Sequence, residues 1–100
     1  MLHLHVLYTT VENRRDEFYE LINKLGIGQA SRDEEDNIKY DYYIPYGTEN
    51  QIFLLEIWKT KEGFEAHKKT DHFLKLQELK EDYIESAKLD IFEIAWNTVS

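Results

Sequence analysis

Residues 53–73 read FLLEIWKTKEGFEAHKKTDHF, and this stretch holds the side chains best suited to chemistry. His67 is the leading candidate for a catalytic base or orienting group, because an imidazole exchanges its proton near neutral pH. Glu56 stands in an otherwise apolar run, where a carboxylate must be paired, protonated or turned toward a cavity. Trp58 offers a flat surface to wall a ring-shaped ligand; its other reading is a half-buried core indole. His72 and Phe73 open the next helix and can contact a substrate, while capping or packing would use them equally well. Upstream, Tyr40 and Tyr42 carry hydroxyls that can orient a substrate, or else aromatic bulk for a core or an interface. A cavity lined by such groups suits proton transfer to or from a small ligand.

Metal chemistry is not expected. His67 and His72 lie five apart across a helix break, which is not the i, i+4 pair of a helical zinc site, and the sequence fixes no third ligand. His3 and His5 share one strand face with no carboxylate or further His nearby. With no Cys, disulfides and thiolate chemistry are excluded. A formal charge of −8 repels phosphate backbones, so nucleic acid is not an expected partner. The acidic run Asp33-Glu34-Glu35-Asp36 reads as a solvated loop. No segment approaches the roughly 20 apolar residues of a membrane span, and no basic-then-apolar leader opens the chain. The expectation is a soluble, cytoplasmic protein with no membrane partner.

The elements that must position these groups follow from periodicity. Residues 2–8 alternate as a strand. Asn13 can cap a helix with Phe18, Leu21, Ile22 and Leu25 on one stripe, and Gly26 and Gly28 stop it. Residues 29–36 read as a polar connection. Residues 37–46 form a strand with Ile38, Tyr40, Tyr42, Ile44 and Tyr46 on one face, its end placed at an edge by Pro45. Residues 51–59 form a central strand, apolar on both faces except at Glu56. Thr60 caps a short helix holding Phe64, Ala66 and His67. Thr70 or Asp71 caps a longer one, with Phe73, Leu76, Tyr83 and Ala87 on one face and Leu79 and Ile84 beside it. Residues 89–96, ending at Trp96, close the chain as a strand. This β-α-β-β-α-β order describes an α+β, ferredoxin-like domain over residues 1–100, an antiparallel four-stranded sheet with helices on one face. The uncovered apolar face predicts a homodimer packed sheet to sheet.

Three local patterns, together with an N-terminal strand and helix similar in length and pattern only, resemble the antibiotic biosynthesis monooxygenase family. They are Glu34-Glu35-Asp36-Asn37-Ile38-Lys39-Tyr40 leading into the second strand, Phe53-x-x-Glu56-x-Trp58 in the third, and Ala66-His67-x-x-Thr70-x-His72-Phe73 at the helix junction. The resemblance implies a dimeric α/β barrel. It also implies cofactor-independent oxidation of a small aromatic quinol, phenol or hydroxyanthrone by O₂, without metal or flavin. On that reading His67 and Trp58 are the catalytic pair, and Tyr40, Tyr42, Glu56, His72 and Phe73 contact the substrate. Asp36 stands where the family usually has Gly, a tolerable exchange even if the position requires φ > 0. The haem-degrading branch relies on an Asn in its first strand; residues 2–8 contain none, which disfavours haem degradation. Two other readings remain: an isomerase-type enzyme acting on a small carbonyl metabolite, as in the wider family, and a non-catalytic dimeric ligand-binding module.

Overall fold

The computed structural model describes residues 1–95. Strand β1 (Leu2–Thr10) is followed by helices α1 (Arg15–Lys24) and α2 (Ile27–Arg32), then by strands β2 (Asn37–Tyr43) and β3 (Gln51–Trp58). Helices α3 (Lys61–His67) and α4 (Asp71–Tyr83) lead to strand β4 (Ile84–Glu93). The sheet is antiparallel in the order β2-β3-β1-β4, the ferredoxin-like arrangement expected from the sequence. Alternation decides its two faces. Leu2, Leu4, Val6 and Tyr8 of β1 are buried beneath the helices with Ile52, Leu54, Glu56 and Trp58 of β3. Phe18 and Ile22 of α1, Ile27 of α2 and Leu76 and Tyr83 of α4 close that core. Among the described residues no helix is long and apolar enough to cross a membrane.

The local signals and the structure part company in several places. Residues 27–32, expected to be mostly connection, form α2, which starts after Gly26 turns the chain with φ 69°. Asn13 does not cap α1: it takes φ 65°, the N-cap position falls to Arg14, and no side chain caps the helix. Thr60 and Thr70 do cap α3 and α4, accepting from the backbone N–H of Gly63 and Phe73. Strand β2 ends at Tyr43 rather than at 46, leaving Ile44 and Tyr46 exposed. A bulge between Asn37 and Lys39 turns Ile38 outward, away from Tyr40. Helix α4 stops at Tyr83 because Ile84 is already paired with Thr10, and Ala87 sits opposite Tyr8 in the ladder. The ladder with β1 thus overrides the helical spacing that joined Ile84 and Ala87 to α4. Trp96, expected to end the last strand, lies outside the described residues.

Candidate active site

Strand β3 delivers Glu56 and Trp58 to the helix side two residues apart. The Trp58 indole N–H donates to Glu56 Oε1 at 3.1 Å, so the buried carboxyl has one fixed donor. Burial nevertheless pushes its pKa up from 4.5 to about 7, against the lowering effects of Trp58 and of the Lys80 charge. At neutral pH Glu56 is therefore poised between acid and base.

Helix α3 carries His67 back over Trp58, with ring centroids 4.6 Å apart. The helix is seated on Asp36: Thr60 Oγ1 donates to Asp36 Oδ2 at 2.7 Å and accepts from the Gly63 N–H at 2.9 Å. A Cβ on Gly63 would run into the Asp36 side chain, which explains a glycine inside this short helix. Asp36 itself is not in the left-handed region, so its replacement of the usual family Gly strains nothing.

The residue that organises the imidazoles is Glu34. Its Oε2 lies 2.6 Å from His67 Nδ1 and 2.7 Å from His72 Nε2. A carboxylate oxygen only accepts, so both facing nitrogens carry protons. Burial lowers the His67 pKa, and the Glu34 hydrogen bond only partly opposes this, so the ring is neutral near pH 7 and its contact with Glu34 is a hydrogen bond rather than an ion pair. The Nδ1–H tautomer leaves a lone pair on Nε2, which lies 3.9 Å from Glu56 Oε1. That gap is too long for a hydrogen bond between them. The acidic run is thus not wholly solvated: the Glu34 side chain is only 16% exposed.

A cavity of about 340 Å³ opens between the sheet and helices α3 and α4. Tyr40, Glu56, His67, Phe73 and Lys80 line it, over an apolar floor from β1 and β4. Four of the residues singled out from sequence therefore meet there. Tyr42 stands beside them, its hydroxyl 3.5 Å from that of Tyr40. Burial raises the pKa of both phenols, which keeps them neutral hydroxyls. Trp58 does not wall the cavity, contrary to the expectation for it: the indole is 0% exposed and backs His67 and Glu56 from behind. His72 also lies elsewhere, beyond Glu34, in a groove with Leu25, Ile27 and Asp71.

Two residues of the site escaped the sequence reading. Glu34 was hidden in the acidic run, although it belongs to the first family-like pattern. Lys80 had a legible signal, since Phe73, Leu76, Lys80 and Tyr83 fall at i, i+3, i+7 and i+10, the inner stripe of α4. The structure also brings a third group able to ligate, Glu34, beside the two imidazoles. Donor atoms of Glu34, His67 and His72 lie within 4.8 Å of one another and are a chemically apt set for a divalent transition metal. Hydrogen bonds satisfy the same three atoms.

Residues 1–79 match the family model described as antibiotic biosynthesis monooxygenase. The chain is 34% identical over 73 residues to the Bacillus subtilis (strain 168) protein named "Putative monooxygenase YcnE", covering 73% of this chain and 75% of that protein. It is similar in fold to a Nitrosomonas europaea structure described as an antibiotic biosynthesis monooxygenase of putative assignment, with TM-score 0.85, 23% identity, and 96% and 100% of the two chains covered. It is likewise similar to PA3566 from Pseudomonas aeruginosa, with TM-score 0.83, 21% identity and 94% of each chain covered. The chain belongs to the antibiotic biosynthesis monooxygenase family.

Proposed function

We propose that this protein oxidises a small aromatic quinol or phenol with O₂ and draws on neither metal nor flavin. One observation carries the reading: a neutral His67, fixed by Glu34, presents the Nε2 lone pair beside Glu56 at the wall of a ring-sized cavity. Nε2 takes the proton of a phenolic hydroxyl, and Glu34 stabilises the imidazolium that results. The aryl-oxide passes one electron to O₂, and the radical pair combines at a ring carbon to give a hydroperoxide. Scission of the O–O bond, with loss of water, leaves a carbonyl on the ring. The balance closes: a hydroquinone and O₂ give a hydroxyquinone and water, with all four electrons coming from the substrate. The substrate thus performs chemistry that a cofactor performs elsewhere. The protein removes a proton, holds the ring and keeps water out.

The same reading makes the protein a homodimer. Its support is the sheet face away from the helices, where Leu7, Phe53, Leu55 and Ile57 are only half-buried and Phe92 is 46% exposed.

The test is oxygen uptake by metal-stripped protein over a panel of quinols and hydroxyanthrones, beside His67→Ala. Uptake of one O₂ per substrate, surviving chelation and lost in the variant, is the expected result. If no substrate draws O₂, or if His67→Ala oxidises at the wild-type rate, the reading fails.

A further inference from the structure

Lys80 has no role in the reaction just described, yet its half-buried side chain lines the cavity. Among the described residues its ammonium makes no salt bridge within 4.0 Å and no hydrogen bond; its nearest recorded neighbour is the Tyr8 ring, with Nζ 5.3 Å from the centroid. The second cation on the cavity wall, Lys68, is already engaged. Its Nζ lies 3.1 Å from Glu65 and 4.9 Å from the Phe64 ring centroid. The chain has 20 acidic residues against 12 Lys and Arg, so an ammonium on the cavity wall without a salt bridge is not explained by a shortage of carboxylates. Glu56 shares the cavity without reaching salt-bridge distance of Lys80. The cavity is therefore polarised, with an acid–imidazole end at Glu56 and His67 and an ammonium end at Lys80.

A neutral aromatic body filling this space would strip the remaining water from the ammonium and return nothing for it. A ligand with an anionic oxygen at the right end would restore the lost hydration with a charge-assisted hydrogen bond. We propose that the cavity takes a hydroxylated aromatic carboxylate, its carboxylate paired with Lys80 and its ring hydroxyl facing Glu56 and His67. This rests on the assignment of the cavity as the substrate site and not on the oxygen chemistry. Burial lowers the Lys80 pKa, with the Glu56 charge opposing, as expected of an ammonium awaiting a counter-ion. The apolar β1 and β4 floor accommodates the ring.

Calorimetric titration with 2-naphthoate and 2-naphthamide tests it, because the two probes match in size and differ in charge. Neither carries a hydroxyl for O₂ to attack, so the outcome is independent of the oxidation reading. Wild-type protein is expected to bind the naphthoate at least about tenfold more tightly. Lys80→Met should abolish that preference and leave naphthamide affinity within about twofold, which also certifies that the variant folds. Lys80→Arg should retain the preference. Equal affinity for the two probes, binding of neither by the wild type, or a preference that survives in Lys80→Met would overturn the proposal. Oxygen uptake on uncarboxylated quinols alongside failed naphthoate binding would reject the carboxylate and keep the oxygenase.

Discussion

Glu56→Gln should make the protein more stable at alkaline pH than the wild type, and the size of the gain follows from the site. The glutamate is 6% exposed, and burial moves its carboxyl from 4.5 to about 7. A folded-state value above the unfolded one favours the folded state only while the group is protonated. That contribution is fully present below 4.5 and is lost as pH rises through about 7. At about 1.4 kcal/mol per pH unit the full loss is about 3 kcal/mol, of which about 2.5 falls between pH 5 and pH 8.5. Gln cannot ionise, keeps nearly the same volume, and offers an amide oxygen to the Trp58 N–H that now reaches Glu56 at 3.1 Å. Urea unfolding of both proteins at both pH values, at one protein concentration, isolates the effect as a double difference. The variant should gain about 2–3 kcal/mol on the wild type over that interval, a large share of the total stability of a domain this small. Parallel pH dependence, with a double difference below about 0.5 kcal/mol, would mean that Glu56 ionises normally and is no partner for His67.

Glu34→Gln removes the charge that raises the His67 pKa, so the acidic limb of the kcat/KM profile should move to lower pH and kcat should fall about tenfold or more, with KM little changed; a pH–rate series reads both. Gly63→Ala should cost about 1–3 kcal/mol by driving a methyl into Asp36, and adding Asp36→Gly should return part of the loss, since Thr60 then loses a bond but the Cβ and carboxylate that the methyl meets are gone; thermal unfolding of the four proteins closes the cycle. Dialysis against a strong chelator should leave turnover within about twofold; a loss that Zn²⁺ or Co²⁺ restores would show instead that Glu34, His67 and His72 hold a metal in the working protein.

The sequence was most legible where one period ran uninterrupted. Alternation along β1 and β3 sorted their residues onto the right faces and grouped Glu56 with Ile52, Leu54 and Trp58, although the expected cover on both sides of β3 gives way to one buried and one half-buried face. Where long-range pairing competes with local periodicity, pairing wins. Ile84 and Ala87 fit the helical stripe of α4, but the ladder to Thr10 and Tyr8 claims them. Ile38 fits the Tyr40 face by alternation, and a single bulged residue puts it on the other side. The site shows the same division. Glu56 stood out because a carboxylate in an apolar strand is conspicuous, and His67 because an imidazole exchanges its proton near neutral pH. Glu34 looked like its acidic neighbours, and its partners lie 33 and 38 residues downstream, a separation no local pattern reports. Lys80 was conspicuous in principle, a cation on the inner stripe of α4, but long side chains usually carry their charge past such a stripe into water. Trp58 shows that an aromatic flanking a catalytic candidate can serve from behind, as a donor and a backing surface.

The buried groups also limit which residue can act as base. His67 is flanked by two carboxyls, with Glu34 on Nδ1 at 2.6 Å and Glu56 3.9 Å from Nε2. Burial is the main reason the Glu56 carboxyl is raised to about 7, and the Glu34 charge adds to it, so two ionised carboxylates beside a neutral imidazole are disfavoured in this largely desolvated site. Near neutral pH the exchangeable proton therefore belongs to Glu56, while the neutral His67 keeps its single ring proton on Nδ1. A phenol entering between Nε2 and Oε1 can lose its proton to the imidazole while a protonated Glu56 donates to a neighbouring oxygen, so that a single site contains both an acid and a base. Glu34 breaks the symmetry of the pair: it holds Nδ1 as the donor and thereby reserves Nε2 for the substrate. Without it His67 would be one more imidazole packed on Trp58 and Phe64, with either nitrogen free to turn inward.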